Sequence, residues 1–272
     1  SVLDVPARQA LEGVCAGLVD RVERSVQVDQ ADRCLADLDD FVREQQAAFI
    51  DELDRQILAD GGHISRNQQL LADIVLELLP LKQCFIARSQ QPPERLLVAI
   101  RRIVGMIRHM RLGDGSLARF NGVGATMPDR LATALAFDEW LDGPLHDRIT
   151  PSRYPRLQRR GMIVIADGGS PPPGELAATA QAGCLSFEMS SGEHAVIVNC
   201  GWPAAVYAGR HDLARGTPSQ STLALQKFPN AKPIRQSGRT KGSEIVGLSG
   251  PGRVNLNIEP RDDGSIALIG EH

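Results

Sequence analysis

The feature that most constrains this chain is a change of period near residue 150. Before it, apolar residues recur every three to four positions; after it they alternate. Five helical stretches come first. Ala10, Leu11, Val14, Leu18 and Val22 mark a helix over residues 7–24. A longer one starts after Asp29 and runs to Ala59, where Asp60-Gly61-Gly62 stops it. A third, begun near the capping candidates Ser65 and Asn67, carries Leu70, Leu71, Ile74, Leu78 and Leu81, with Pro80 set to kink or divide it. A fourth follows Pro92-Pro93 and ends in a basic tail, Arg108 to Arg111, which suits the negative end of a helix. The fifth covers residues 127–141.

Beyond 150 the expected elements are strands: Met162–Ala166, a hairpin within 182–201, Thr222–Leu225, Val254–Ile258 and Ser265–Ile269, the last two joined by an Asp262-Asp263-Gly264 turn. A block of helices followed by a block of antiparallel strands predicts an α+β fold in two segregated domains, 1–150 and 151–272. In the hairpin, a two-residue Ser191-Gly192 turn sets Leu185 opposite Val198 and Phe187 opposite Val196. That pairing predicts an apolar inner face and a polar face of Cys184, Ser186, Glu188 and Asn199. The basic stretch 232–250 and the segment 204–215 show no clear period, and the former reads as a solvated loop or a groove for an anionic polymer.

Composition narrows the function classes. With 42% hydrophobic and 23% charged residues the chain is globular, and a net charge of −3 offers no overall field for nucleic acid. No apolar run reaches the roughly 20 residues that cross a bilayer. The five cysteines form no Cys-x-x-Cys pair and the six histidines no His-x-His or His-x-x-x-His, so local spacing supplies no metal site. The chain opens at Ser1 with no signal-like segment, as a fragment or processed chain would. No cofactor motif stands out: Gly122-x-Gly124 follows a loop, not a strand.

Four motifs in order, DRQILADGGHISRN (54–67), GDGSLARFNG (113–122), AGCLSFEMSSG (182–192) and VNCG (198–201), resemble the heparinase II/III-like polysaccharide lyases, over roughly residues 5–225. The resemblance implies the C-terminal part of an (α/α) toroid followed by an antiparallel β-sandwich. It implies an anionic, uronate-containing polysaccharide held between them, and β-elimination in which a Tyr or His removes the C5 proton while an Asn, Glu or His neutralises the carboxylate. This chain departs from that pattern. Leu70 and Leu71 stand where the family has a Tyr-His pair, and Val5 to Gln9 where it has a neutralising His or Asn with a Glu. Thr179, Gln181 and Gly183 replace a His-x-His-x-Asp, while Asn199 and Gln220 replace an Asp and a His. Because several of those positions hold zinc in some members, no zinc is expected here.

The remaining candidates are weighed both ways. His63 and Arg66 could clamp a carboxylate or sulfate with Asn67 donating an amide, or Ser65 and Asn67 could simply cap the next helix. Arg119 and Asn121 would complete the clamp from the second loop, although a glycine-flanked Asn is also ordinary turn chemistry. Tyr154 is the tyrosine available as a base beside the cleft, or a packing residue at the junction. Glu188 is a cleft carboxylate, or else a cross-strand partner or solvent-facing residue. The candidate site is therefore catalytic His63 and Tyr154 with substrate-binding Arg66, Asn67, Arg119, Asn121 and Glu188. Two functions stay open: a protein that binds and cleaves anionic polysaccharide, and an inactive carbohydrate-binding or scaffold protein on the same fold.

Overall fold

The computed structural model describes residues 43–136, 150–225, 229–237 and 243–272. The expected helix at 7–24, the start of the second helix and the end of the fifth lie outside them. Among the described residues, four helices precede residue 137: α1 (residues 43–56), α2 (Gln69–Ala87), α3 (Glu94–His109) and α4 (Pro128–Ala136). Apolar stripes drive their packing. Leu71, Ile74, Val75 and Leu78 of α2 meet a core that holds Leu96, Ile100, Ile103 and Ile107 of α3. Pro80 sits inside α2 without dividing it. Among the described residues, no helix is long and apolar enough to cross a membrane.

After residue 150 the chain forms antiparallel strands. A four-stranded sheet runs in the order β1 (Arg156–Arg159), β2 (Met162–Ala166), β3 (Phe187–Ser191), β4 (His194–Ile197). Two hairpins follow, β5 (Lys232–Ser237) with β6 (Ser243–Ser249), and β7 (Asn255–Pro260) with β8 (Ile266–Glu271). The basic stretch read as a loop is thus largely the β5–β6 hairpin. Its Lys, Arg, Gly and Ser content masks the few residues that pack, Ile245 and Leu248. The reverse error occurs at 222–225, where no strand forms. Backbone and side-chain groups there bond elsewhere, Ser221 N to Asn199 Oδ1 at 2.7 Å and Thr222 Oγ1 to the Cys184 carbonyl at 2.9 Å.

The central hairpin exists, but its turn and faces differ from expectation. Ser191 pairs with His194 and Ser190 with Ala195, so Gly192-Glu193 makes the turn, and an irregularity then pairs Met189 with Ile197. Leu185 precedes the strand in a left-handed conformation, φ 59°. Ser186, Glu188 and Ser190 are the buried residues, whereas Phe187 and Met189 are half-buried and Val196 and Val198 exposed. The polar face points inward. Ile163 and Ile165 of β2, opposite Ser190 and Glu188, lie in the main core beside the helices, which makes this the face against the helical part. The reason is hydrogen bonding: Ser190 Oγ accepts the Gly113 N–H at 2.9 Å, and Glu188 Oε1 the Asn199 N–H at 2.7 Å. Loops with unpaired amides, not an apolar helix stripe, cover β3, so polar side chains suit it better than Leu or Phe.

Helices and sheet are joined closely. Buried Arg156, first residue of β1, donates through Nη1 to the His109 carbonyl at 2.9 Å and to that of Arg111, satisfying carbonyls at the end of α3. Burial, with Arg111 nearby, lowers its pKa to about 10. Asp60 Oδ2 also accepts the Ser152 N–H at 2.8 Å. Gly61 between these elements has φ +87°, and a Cβ there would stand 1.9 Å from the Arg102 carbonyl oxygen. Backbone cannot yield as a side chain would, so Gly61→Ala is expected to cost about 2 kcal/mol or more in urea unfolding. An unchanged midpoint would contradict that packing.

Candidate functional site

The first and second motifs of the sequence meet at a buried carboxylate. β2 ends at Ala166, and the next residue, Asp167, turns the chain through Gly168-Gly169. Arg66 Nη2 lies 2.6 Å from Asp167 Oδ1, and both side chains are almost completely buried. The guanidinium also donates to the Ser170 carbonyl at 3.1 Å and the Ser152 carbonyl at 3.3 Å. Asp167 further accepts the Gly169 N–H at 3.1 Å on Oδ1 and Asn121 Nδ2 at 2.9 Å on Oδ2. Asn121 Nδ2 also reaches the Tyr154 hydroxyl at 2.8 Å, and that hydroxyl donates to the Arg66 carbonyl at 2.7 Å. The loop is closed: arginine, aspartate, asparagine, tyrosine, and back to arginine.

The pair's charges are balanced within the protein. Burial works against the Arg66 cation, but Asp167 foremost, then Tyr154, hold its pKa above the ordinary value. The guanidinium lies 4.7 Å over the Tyr154 ring, which stacks on Phe120 with centroids 5.4 Å apart. Burial pushes the Tyr154 phenol well above its usual pKa, a shift Arg66 only partly offsets. Arg66 and Asn121 both adopt positive φ, 61° and 48°. Two non-glycine residues in that region persist because the network specifies their positions.

The other candidates sit around this loop. His63 is buried, its Nδ1 2.7 Å from Ser65 Oγ and its Nε2 3.2 Å from Gln56 Oε1, on the α1 side and away from Asp167's shell of partners. Asn67 Oδ1 accepts the Gln69 N–H at 3.1 Å at the start of α2, and its Nδ2 lies 3.4 Å from Thr179 Oγ1. The Arg119 carbonyl accepts Asn199 Nδ2 at 3.3 Å, which ties it to Glu188 through Asn199. The structure therefore brings Arg66, Asn121 and Tyr154 together, leaves His63 and Asn67 beside them with other partners, and puts Arg119 and Glu188 in a neighbouring network. Asp167, the anionic centre, reads in sequence only as a strand-end turn. An acid before Gly-Gly was the available signal.

At the positions where the family resemblance would put zinc ligands, neutral side chains bond within the protein. Gln181 Nε2 donates to the Ala214 carbonyl at 3.0 Å, its Oε1 accepts the Gly122 N–H at 3.2 Å, and Thr179 Oγ1 donates to the Asn121 carbonyl at 3.2 Å. Neutral groups directed at protein partners do not fit a zinc ion. Cys184 and Cys200 are both free thiols, the former buried, and burial with Asp167 nearby raises its pKa to about 12.

Residues 148–272 match the family described as heparinase II/III-like, C-terminal. Over those residues the chain belongs to the heparinase II/III-like family. FtsZ-localized protein C of Caulobacter vibrioides (strain NA1000 / CB15N) is 34% identical to it over 188 residues, which are 69% of this chain and 32% of that protein. The crystal structure of heparinase III resembles it with a TM-score of 0.52 at 14% identity, across 71% of this chain and 37% of that one. Heparan sulfate lyase HepC from Pedobacter heparinus gives 0.50 at 14%, across 72% and 36%. This likeness is one of fold. The chain spans about a third of the length of these proteins, and across that span it shares with heparinase III a combination of helices and antiparallel sheet.

Two predictions follow from the geometry. Asp167→Asn leaves the Arg66 charge buried without its partner and is expected to destabilise the protein by about 3–5 kcal/mol in urea unfolding; a loss under 1 kcal/mol would mean that Arg66 finds another anion. Glu188, wholly buried, has its pKa raised to about 7, chiefly by burial and against the Asn199 and Arg119 amides. A folded state that binds this proton more tightly than the unfolded chain is most stabilised below the unfolded value of 4.5 and loses that contribution as pH rises to about 7. The expected loss is on the order of 3 kcal/mol, and Glu188→Gln removes it. Parallel pH profiles for the two proteins would show that Glu188 titrates normally.

Proposed function

We propose that this chain is a member of the heparinase II/III-like family that binds an anionic, uronate-containing polysaccharide without cleaving it. In this reading residues 1–150 are part of an (α/α) toroid and 151–272 a β-sandwich, and Tyr154, His63, Arg66 and Asn121 serve the joint between them. One observation carries it. Both candidate bases are buried and hydrogen-bonded to protein, with the Tyr154 hydroxyl donating to Arg66 O and accepting from Asn121. A general base must reach the substrate's proton and have a pKa near the working pH. A phenol raised by burial, with its proton committed to a carbonyl, meets neither condition.

A second reading is favoured by the relative rather than by the site. Similarity to FtsZ-localized protein C supports a scaffold role, with a protein partner associated with FtsZ in place of a glycan. Function resides in sites, not folds, so the two are separated by experiment.

Absorbance of unsaturated uronate is expected to stay flat when the protein is incubated with heparin, heparan sulfate, chondroitin, hyaluronan, alginate or polygalacturonate, while calorimetry detects binding to at least one of them. Absorbance growth that disappears in Tyr154→Phe would overturn the non-cleaving reading. A flat trace with no calorimetric binding, together with co-sedimentation with FtsZ polymers, would favour the scaffold.

A further inference from the structure

A cavity of about 650 Å³ opens where the loop after β2 meets the β7–β8 hairpin. Its volume falls in the range of roughly 300–1,000 Å³ typical of small-molecule sites. It lies behind the Arg66–Asp167 pair, not at the candidate bases. Gly168 and Gly169 form one wall. A Cβ on Gly169 would stand 2.4 Å from the Arg66 guanidinium carbon, and one on Gly168 would stand 1.7 Å from Leu256 Cδ1. Only glycines let this wall lie between the buried cation and β7.

The other walls carry charge and amides. Arg153, at φ 61°, donates through Nε to the Gly168 carbonyl at 3.0 Å and through Nη2 to the Val254 carbonyl, while its own carbonyl accepts the Gly168 N–H at 2.8 Å. These bonds fix its guanidinium on the cavity wall across both elements. Arg253 is exposed and lines the same space, and no ion pair holds it among the described residues. Asn255 faces Glu271 across the β7–β8 ladder and Asn257 faces Ile269, so two amides, a carboxylate and an apolar side chain share one side of the hairpin. Two guanidinium groups and one carboxylate leave a single positive charge in the lining.

We propose that this pocket binds a small carboxylated, hydroxyl-rich molecule, an acidic sugar residue, with Arg253 and Arg153 on its carboxylate. Asn255, Asn257 and Glu271 take hydroxyls, and Ile269 covers a C–H face of the ring. Guanidinium suits a planar carboxylate, and neutral amides next to a carboxylate offer both donors and acceptors to hydroxyls. The assignment deepens the proposed polysaccharide-binding reading by giving it a place, and the same chemistry comes from a free sugar acid or from a polymer end.

The test is calorimetric titration of the chain with D-glucuronate, with a short uronate-terminated oligosaccharide, and with D-glucose and acetate as partial probes. Saturable glucuronate binding is expected, weakened about tenfold or more in Arg253→Ala and in Asn257→Ala, with unchanged melting temperatures because both side chains are exposed. Glucose and acetate should each bind at least about tenfold more weakly than glucuronate. Absence of saturable glucuronate binding, an affinity in both variants unchanged from that of the unsubstituted protein, or acetate binding as tight as glucuronate would each overturn the pocket. Polysaccharide binding that survives both substitutions unchanged would overturn the pocket while leaving the broader reading intact. Glucuronate binding without any polymer or oligosaccharide binding would support the pocket for a free sugar acid and overturn the broader reading.

Discussion

The structure depends on one buried ion pair. Arg66, at the turn into α2, and Asp167, at the end of β2, are 101 residues apart and meet at 2.6 Å inside the protein. Removing two charges from water carries a large desolvation cost, and mutual attraction compensates only when the remaining donors and acceptors are also satisfied. Here they are: carbonyls of Ser152 and Ser170 take the spare guanidinium hydrogens, and Gly169 and Asn121 supply the carboxylate. Those partners come from three loops, so satisfying the pair fixes all three and the turn that carries Arg66 at once. Burial of Arg66 makes the junction specific more than it makes it strong.

That requirement explains the unusual backbone around it. Arg66, Asn121, Arg153 and Leu185 all hold positive φ without being glycine, each within or next to a loop that the junction uses. Every such residue costs of order 1 kcal/mol or more, and a surface loop would relax. These loops cannot, because Arg66 and Asn121 are tied to Asp167 while Arg153 is tied to Gly168. Asparagine at 121 fits because it tolerates the left-handed region and its amide still reaches both Tyr154 and Asp167.

The same logic governs the central sheet. Its inner face mixes Ile163 and Ile165 with Ser190 and Glu188, and the helical side presents loop amides to the latter. A polymer cleft and a domain junction make similar demands on sequence, since both gather polar side chains at the meeting of two layers. In a cleft those groups remain unpaired for a ligand; in this junction the protein itself pairs them. A motif search cannot separate these cases, because the residue types coincide.

Much of the architecture was nonetheless legible without coordinates. Helix α3 runs between Pro93 and the basic tail as its 3.6-residue period predicts, and β2 occupies Met162–Ala166 as read. Both are local outcomes of apolar spacing and of residues that stop a helix or strand. The β5–β6 hairpin was missed because Gly, Ser and basic residues conceal its alternation, and the faces of β3 were inverted because period two identifies two faces without saying which is buried. The candidate residues Arg66, Asn121 and Tyr154 lie together in the structure. Whether a polar group serves a ligand or a fold depends on which other groups come within 3 Å. Sequence by itself determined the helices-then-strands order, the family and the residue types at the junction. Tertiary structure alone brought Asp167 to Arg66 from 101 residues away, because hydrogen bonds and ion pairs act through space, where sequence spacing carries no information.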